Sequence, residues 1–478
     1  MDPGKIALGI FLLIASGASA GNNTAAFQSA EAKAHYQNAL DYENKGGWSA
    51  AILELNRARQ LDPANPEVLT ELGITHAERK EWKQALDFLR EAVKVAPGSV
   101  RAHYNLALTL DQAQPGSGAG VTEYRRVLKI DPRHADALVN LGIDLGEQSP
   151  GEARKLFESA IQIAPNNAKA HLNLALLLNR EGQQGASITE FREAIRLDAD
   201  LAEARRQLAA ILMAQQKWSE VVEQCRAILK REPDDGGTRY MLGQALMRDQ
   251  QTEEGQKELK MAQEVRKRRQ QMQEAEELQG EGVRELNAGK PADAVKALSR
   301  AVGLDSSSAN HMYLGVALAA TGDVKAGLRE LETAVRLDPK NARAHVNLGS
   351  VYLQSGQEFL AKGEFERALE ADAWLPEAHN DLGLMLAKNN DAEGAERHFR
   401  IAADLDPQYL EAAFNLGLAL RALHRLDDAL HVLRRAAEMA PKNPQVHEAL
   451  GLTLKEKGDL AGAQAALDRA AALARAQE

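Results

Sequence analysis

Hydrophobic residues follow two helical stripes that repeat along most of the chain. In each stretch of about 34 residues, apolar or small residues at positions 4, 7, 8 and 11 form an i, i+3, i+4, i+7 pattern. Residues at positions 20, 24 and 27 form a second stripe of the same kind. Position 7 is leucine in eleven units: Leu72, Leu106, Leu141, Leu174, Leu208, Leu242, Leu314, Leu348, Leu382, Leu416 and Leu450. The pattern predicts two amphipathic helices in each unit.

Small residues and prolines complete this repeating pattern. Position 8 is glycine or alanine, as at Gly349 and Gly383, and position 24 is bulky, as at Phe365 and Phe399. A residue without a large side chain at position 8 allows the two helices to approach closely. A proline at position 32 ends the second helix, because it lacks an N–H and cannot continue a helix. These prolines are Pro63, Pro97, Pro132, Pro165, Pro233, Pro339, Pro407 and Pro441.

A single pair of helices cannot bury such stripes, so consecutive units are expected to stack. The units start near residues 32, 66, 100, 135, 168, 202, 236, 275, 308, 342, 376, 410 and 444. Over residues 32–478 the pattern resembles the tetratricopeptide repeat (TPR) family. The resemblance implies an all-α, right-handed α-solenoid (superhelix) of about thirteen helix-turn-helix units. It also implies that the first helix of each unit lines a concave groove.

The regular repeat is interrupted once in the middle of the chain. Unit seven lacks its closing proline, and helix-forming residues continue to Leu278. We therefore predict block 1 at 32–263 (units 1–7), a charged helical connector at 264–274 and block 2 at 275–478 (units 8–13). The sequence leaves open whether the connector is rigid or hinged. Its four bases at 266–269 could bind an acidic partner, or they could form a solvated helix face.

The first twenty residues have the pattern of a secretory signal peptide. Lys5 precedes the apolar run 6–14, and Ala18 and Ala20 form a cleavage motif of small residues. The alternative is an uncleaved anchor. Residues 21–31 are predicted to be an N-terminal linker. We therefore expect an exported bacterial protein, periplasmic or secreted, whose mature chain has no stable membrane insertion.

The net charge argues against one class of partner, and the single cysteine limits the covalent cross-links that the chain can form. The net charge of −10 argues against a nucleic-acid partner, because neutralising phosphates requires a basic surface. Cys225 is the single cysteine, so an intramolecular disulfide is excluded. It occupies a bulky core position of unit six, where we expect it to pack as a small hydrophobic residue.

Histidine can bind metals and act in catalysis, and seven histidines share position 4: His35, His103, His171, His311, His345, His379 and His447. Neighbouring units are about 10 Å apart, whereas zinc ligands lie about 2 Å from the ion. We therefore expect these histidines to pack between helices. No metal, cofactor or catalytic residue is expected. Since the units extend to within a few residues of the C-terminus, we do not expect an enzyme.

Asparagine recurs at position 6, which faces the groove in the TPR family. The residues are Asn105, Asn140, Asn173, Asn347, Asp381 and Asn415. Asparagine is a mediocre helix former, but its amide both donates and accepts hydrogen bonds. The row resembles the asparagine ladders of peptide-binding glycosyltransferases in the family. With Tyr104 and Phe414 at position 5, these residues are the candidate peptide-binding groove. The alternative is that the amides bridge adjacent helices.

The sequence thus favours a non-catalytic scaffold or adaptor for protein–protein interactions. Its partners would be extended protein or peptide segments held in the concave groove, outside the cytoplasm. The alternative is an assembly or oligomerisation scaffold that acts through the ends of the solenoid, with possible self-association.

Overall fold

The computed structural model describes residues 27–476, and this range contains twenty-five helices and no strand. The predicted signal peptide at 1–20 and residues 21–26 of the predicted linker lie outside it. Helix α1 begins at Ala30, so the last two residues of the predicted linker are helical. Thirteen two-helix units account for the twenty-five helices, because one long helix serves two units.

The first helices of the units begin within two residues of the predicted starts. They are α1 (Ala30–Glu43), α3 (Pro66–Glu78), α5 (Val100–Ala113), α7 (Ala135–Leu145), α9 (Ala168–Arg180), α11 (Ala202–Ala214), α13 (Gly236–Arg248), α16 (Ser308–Ala320), α18 (Ala342–Gln354), α20 (Pro376–Lys388), α22 (Leu410–Ala422) and α24 (Pro444–Lys457). Helix α14 (Thr252–Asn287) provides both the second helix of unit seven and the first helix of unit eight.

The remaining second helices are similar in length, apart from the short α6. They are α2 (Trp48–Leu61), α4 (Trp82–Val95), α6 (Val121–Ile130), α8 (Pro150–Ile163), α10 (Gln184–Leu197), α12 (Trp218–Arg231), α15 (Pro291–Leu304), α17 (Val324–Leu337), α19 (Glu358–Ala371), α21 (Ala392–Leu405), α23 (Leu426–Met439) and α25 (Leu460–Arg475).

Local sequence signals determine where the first helices begin. Asn65, Ser99, Asn167 and Asn341 each accept a backbone N–H from the first turn of the helix that follows. Such caps satisfy amide groups that have no partner inside the helix, and each contributes about 1 kcal/mol. Together with the proline that ends the preceding helix, the cap defines the boundary between units.

Within a unit, the two helices meet at the glycine or alanine of position 8. A Cβ atom on Gly383 would lie 2.7 Å from the Phe399 ring, and one on Gly349 would lie 2.7 Å from the Phe365 ring. Real Cβ atoms do not approach other atoms this closely. The absence of a side chain therefore allows each aromatic ring to be almost completely buried.

Six of the seven histidines of position 4 link the two helices of their units, whereas His447 bonds only to the carbonyl oxygen of Pro441 among residues 27–476. His345 Nδ1 lies 2.6 Å from Glu364 Oε2, and its Nε2 lies 3.2 Å from the carbonyl oxygen of Pro339. Both neighbours are acceptors, so the protonated ring can donate to both, and the hydrogen bond to Glu364 raises the pKa of His345. His35, His103, His171 and His311 form the same bond to a glutamate of the second helix.

Unit eleven departs from this pattern. Its second helix carries His398 where the others carry glutamate, and the Nδ1 atoms of His379 and His398 are 3.0 Å apart. Burial lowers the pKa of His379, and the carbonyl of Ala373 and the charge of Asp372 offset only part of this effect. The histidine–glutamate contact of five other units is therefore replaced by a pair of rings.

Helix α14 is uncovered along its middle. Between Ala262 and Ala275 no residue is buried, and nearly all are exposed. On either side of this stretch, α14 packs against α13 and α15. The prolonged helix is present, whereas the division of the chain into two blocks at this point stays a prediction.

The solenoid also contacts itself far from this helix. The Tyr42 and Trp374 rings pack edge to face with centroids 4.9 Å apart, and α2 lies against α21. A Cβ atom on Gly47 would lie 3.3 Å from Trp374 Nε1, so glycine permits this close approach. The superhelix therefore completes a turn between unit 1 and unit 11, where its two turns touch.

Two glycine substitutions should change stability in opposite directions. Gly383→Ala should destabilise the fold by about 1–3 kcal/mol, because its methyl group would overlap Phe399. Gly363→Ala on α19 should stabilise it by about 0.5–1 kcal/mol, because its nearest neighbour, the end of the Arg367 side chain, is 4.0 Å away. Urea unfolding followed by circular dichroism at 222 nm measures both. If both substitutions changed the free energy of unfolding equally, the proposed close approach at Gly383 would be contradicted.

Trp374→Ala should loosen the contact between the two turns. An edge-to-face aromatic pair contributes about 0.5–1.5 kcal/mol beyond buried area. We expect a larger radius of gyration by small-angle X-ray scattering, with unchanged helical content. Phe359→Ala is the matched control, because that ring is 89% exposed. Identical scattering from the two variants would show that Trp374 does not hold the turns together in solution.

Candidate functional site

The first helices lie on the inner side of the curved stack. First helices of neighbouring units approach each other, as α3 and α5 do, and so do α7 with α9 and α20 with α22. Among residues 27–476, no two consecutive second helices approach as closely. Since helices on the inside of a bend are closer together, the groove is bounded by the first helices.

Two of the predicted asparagines bond to their own helix. The Nδ2 groups of Asn105 and Asn173 each donate to the carbonyl oxygen four residues earlier, at 2.8 Å. Asn105 is partly exposed, whereas Asn173 is buried with 9% exposure. Within the described range, the Oδ1 atoms of both residues accept no hydrogen bond.

Three position-6 residues connect neighbouring units. Asn140 donates to the Tyr104 hydroxyl at 3.2 Å, and Asn415 donates to Asn380 Oδ1 at 2.9 Å. Asp381 accepts from the Ser350 hydroxyl at 3.0 Å, and burial raises the pKa of Asp381. These contacts match the alternative in which position 6 bridges adjacent helices.

Asn347 differs from the other five, because it has no hydrogen-bond partner among residues 27–476. It is partly exposed on α18, so both its donor and its acceptor are available to a ligand. Phe414 is partly buried against Ala413, Ala436 and Val446 and therefore contributes mainly to packing. The six position-6 residues are thus not equivalent.

The first helices also expose apolar residues, of which Tyr240 and Met247 were not predicted from the sequence. Tyr240 and Met247 on α13 are 53% and 37% exposed, and Leu384 on α20 is 41% exposed. They occupy positions 5, 12 and 9 of their units. A tyrosine at position 5 of unit 7 was the available signal, since Tyr104 holds the same position in unit 3. These residues provide apolar surface for a ligand.

Carboxyl groups on the first helices of units 1–4 have unusual titration behaviour. Burial, followed by the charge of Glu71, raises the pKa of Glu43 to about 7. Burial, followed by the charge of Asp111, raises the pKa of Asp144 to about 7. Asp111 accepts the Gly120 N–H at 2.8 Å, whereas Asp144 Oδ2 is buried and has no hydrogen-bond partner. Near neutral pH this part of the first-helix surface changes its charge.

In the part of the chain that the structure describes, no three His, Cys, Asp or Glu side chains are arranged to hold a metal ion. No helix between residues 27 and 476 is both long enough and apolar enough to cross a membrane. Cys225 is fully buried, and burial raises the pKa of its thiol to about 12.

Models of the tetratricopeptide repeat match most of the chain. One matches residues 36–100, 144–202, 280–327 and 360–409, and others match 315–356, 342–373 and 386–452. The chain belongs to the tetratricopeptide repeat family. The predicted TPR fold, a helical solenoid with thirteen units, is confirmed by these matches and by the helices. Proteins of this family act as scaffolds for protein–protein interactions.

Curated relatives match only part of this TPR chain. It is 34% identical over 86 residues to the E3 ubiquitin-protein ligase CHIP of Arabidopsis thaliana, covering 18% of this chain and 31% of that protein. It is 27% identical over 154 residues to the type IV pilus assembly protein PilF of Pseudomonas aeruginosa. That match covers 31% of this chain and 60% of PilF. The chain therefore spans less than two thirds of either relative.

Comparison with solved structures gives matches at low sequence identity, each with a TM-score of 0.40 or lower. One chain in the crystal structure of the APC/C hetero-tetramer Cut9–Hcn1 aligns with 93% of this chain and over 94% of its own length, with 14% identity and a TM-score of 0.40. YrrB, described as a TPR protein with an unusual peptide-binding site, matches 37% of this chain and 93% of its own, with 24% identity and a TM-score of 0.33.

Replacing Asp144 should reveal its raised pKa. Because the folded-state pKa of about 7 lies above the ordinary value of 3.8, the folded protein binds a proton more tightly than the unfolded chain. Stability therefore falls as pH rises through 7. Asp144→Asn mimics the protonated form and should stabilise the protein at pH 8 but hardly at pH 4. We expect a gain of about 1–3 kcal/mol, less than the full shift implies, because the side chain is partly solvated.

Urea unfolding at pH 4, 6 and 8 measures this effect. Asp87→Asn is the control, because Asp87 is exposed on α4. Its effect on stability should change little over this pH range. A gain for Asp144→Asn that does not depend on pH would contradict the raised pKa.

Proposed function

We propose that this chain is a non-catalytic scaffold that binds extended protein segments along its concave groove, outside the cytoplasm. The observation that carries the proposal is the row of position-6 amides on the first helices. In Asn105, Asn140, Asn347 and Asn415 the Oδ1 atom accepts no hydrogen bond from residues 27–476, and all four side chains are partly exposed. An extended peptide offers N–H groups at regular intervals, which such acceptors can bind.

Apolar surface beside the amides would supply further binding energy. Tyr240, Met247 and Leu384 expose side chains on the same set of helices. Burying apolar area contributes about 25 cal/mol per Å² before the cost of ordering the segment. The favoured ligand is therefore a partly hydrophobic extended segment rather than a strongly charged one.

The bridging contacts refine which position-6 residues would act on a ligand. Asn140 and Asn415 hold neighbouring units in register through their donors, so their replacement would also disturb the fold. Asn347 has no internal partner, and Asn105 bonds only within its own helix. These two residues are the best places to test ligand binding without loosening contacts between units.

Location outside the cytoplasm is supported by the sequence of residues 1–20, which follows the pattern of a signal peptide. The partial similarity to PilF, a bacterial pilus assembly protein, is in keeping with an exported role. Secretion of the full-length chain, followed by N-terminal sequencing of the exported product, tests this part of the proposal. Cleavage after Ala20 is the expected result.

The double variant Asn105→Ala, Asn347→Ala should weaken groove binding. Each lost hydrogen bond contributes about 0.5–1.5 kcal/mol, so the double variant should lose about 1–3 kcal/mol of binding free energy. Affinity capture from a bacterial envelope extract would identify a partner, and isothermal titration with the purified partner would give the dissociation constants.

The matched control is Asn166→Ala, Asn389→Ala, since both residues are exposed in loops outside the first helices. Normal binding by the control and reduced binding by the groove variant would support the proposal. If the two double variants bind equally well, the groove amides do not recognise the ligand. The solenoid ends, where Leu460 of α25 is 68% exposed, would then be the next surface to test.

A further inference from the structure

The uncovered middle of α14 carries a group of bases that the fold does not use. Arg266, Lys267, Arg268 and Arg269 are consecutive and exposed. None of the four side chains forms a hydrogen bond or an ion pair with any residue in 27–476. We call these four residues the basic collar. We propose that the basic collar is a docking site for an acidic polypeptide segment of a partner protein.

The collar surrounds the helix rather than marking one face. Successive residues of an α-helix are rotated by about 100°, so four consecutive side chains point in four directions within about one turn. Because no residue between Ala262 and Ala275 is buried, every one of these directions is open to solvent. A partner can therefore reach the bases from more than one side.

Several other arginines on the solenoid surface are paired between units. Arg192 contacts Glu220 of the next unit at 2.7 Å, and Arg226 contacts Glu254 at 2.8 Å. Close to the collar, Arg206 already binds Glu232 and Asp235, two of the acidic residues that share a shallow cavity with Arg269. The four bases of the collar, by contrast, have no ion-pair partner among the described residues of the neighbouring units.

One pair within the collar works against the helix that carries it, because Arg266 and Arg269 are three residues apart. Like charges at this spacing destabilise a helix by about 0.2–0.5 kcal/mol, and helices in proteins depend mainly on packing for their stability. The stretch 263–274 has little such packing, because only Val265 and Gln271 are partly covered. A ligand with carboxylates would reduce this repulsion, so binding should also stabilise the middle of α14.

The arrangement favours an acidic segment over other anions. A flat anionic membrane could contact about half of a collar that faces all directions. Nucleic acid would be repelled by a chain with a net charge of −10. The uncovered stretch of twelve residues is about 18 Å long, which an extended segment of about six residues can follow. Such a segment with three or four carboxylates would match the collar.

Binding of a labelled peptide tests the proposal. The probe is a fluorescent twelve-residue peptide with a central run of six glutamates, and fluorescence anisotropy measures its affinity for residues 21–478. The collar variant R266Q/K267Q/R268Q/R269Q keeps good helix formers at all four positions. We expect about tenfold or greater weakening relative to the parent at low salt, and the parent's affinity should fall as salt is raised.

The control variant K83Q/K129Q/R133Q/K340Q removes the same net charge at scattered exposed sites. It should bind the peptide within about twofold of the parent. Equal weakening by both variants would mean that overall charge attracts the peptide, and failure of the parent to bind it would also overturn the proposal. Collar-dependent binding to phosphatidylserine vesicles without peptide binding would assign the collar to a membrane instead and would overturn it.

Hydrogen exchange gives a second readout of the same complex. Amides of residues 263–274 should exchange more slowly when the peptide is bound, because the uncovered helix becomes less able to open. Slower exchange restricted to other helices would place the peptide elsewhere on the solenoid and would contradict the docking site.

Discussion

The close approach of two helices at a glycine or alanine of position 8 shapes every unit of the solenoid. At Gly142, Gly349 and Gly383 a single added carbon would overlap an aromatic ring of the second helix. Because the ring occupies that space, the two helices lie at a short distance along their shared stripe. Each pair then presents a similar surface to its neighbour, and the same stacking is repeated along the chain.

Much of the architecture could be predicted because its signals are local. Prolines and the apolar stripes act within a few residues, so the starts of the helices could be predicted from their positions. N-cap residues such as Asn65 and Ser99 are local signals of the same kind. The partners of the position-4 histidines were also within reach. His171 and Glu190, like His345 and Glu364, are nineteen residues apart, and that spacing recurs with the repeat.

The candidate site was less predictable because its contacts join different units. Asn140 bonds to Tyr104, and Asn415 bonds to Asn380, across 36 and 35 residues. A sequence pattern shows that asparagine recurs, but it does not show which amides find partners once the units stack. Asn347 and Asn415 both occupy position 6, but only the Asn415 side chain has a hydrogen-bond acceptor on the neighbouring unit. The contact of Trp374 was harder still to predict from the sequence, because its partner Tyr42 is more than 300 residues away.

The contact between Trp374 and Tyr42 changes the mechanics of the whole array. An open stack behaves like a spring, in which each unit can tilt without affecting distant ones. Once units 1 and 11 touch, a tilt anywhere between them must be matched by an opposite tilt elsewhere in the same turn. The uncovered length of α14, in which residues 263–274 are mostly exposed, is a place where such compensating bending disturbs little packing. A ligand that alters the curvature of one unit would therefore be felt at the far side of the turn.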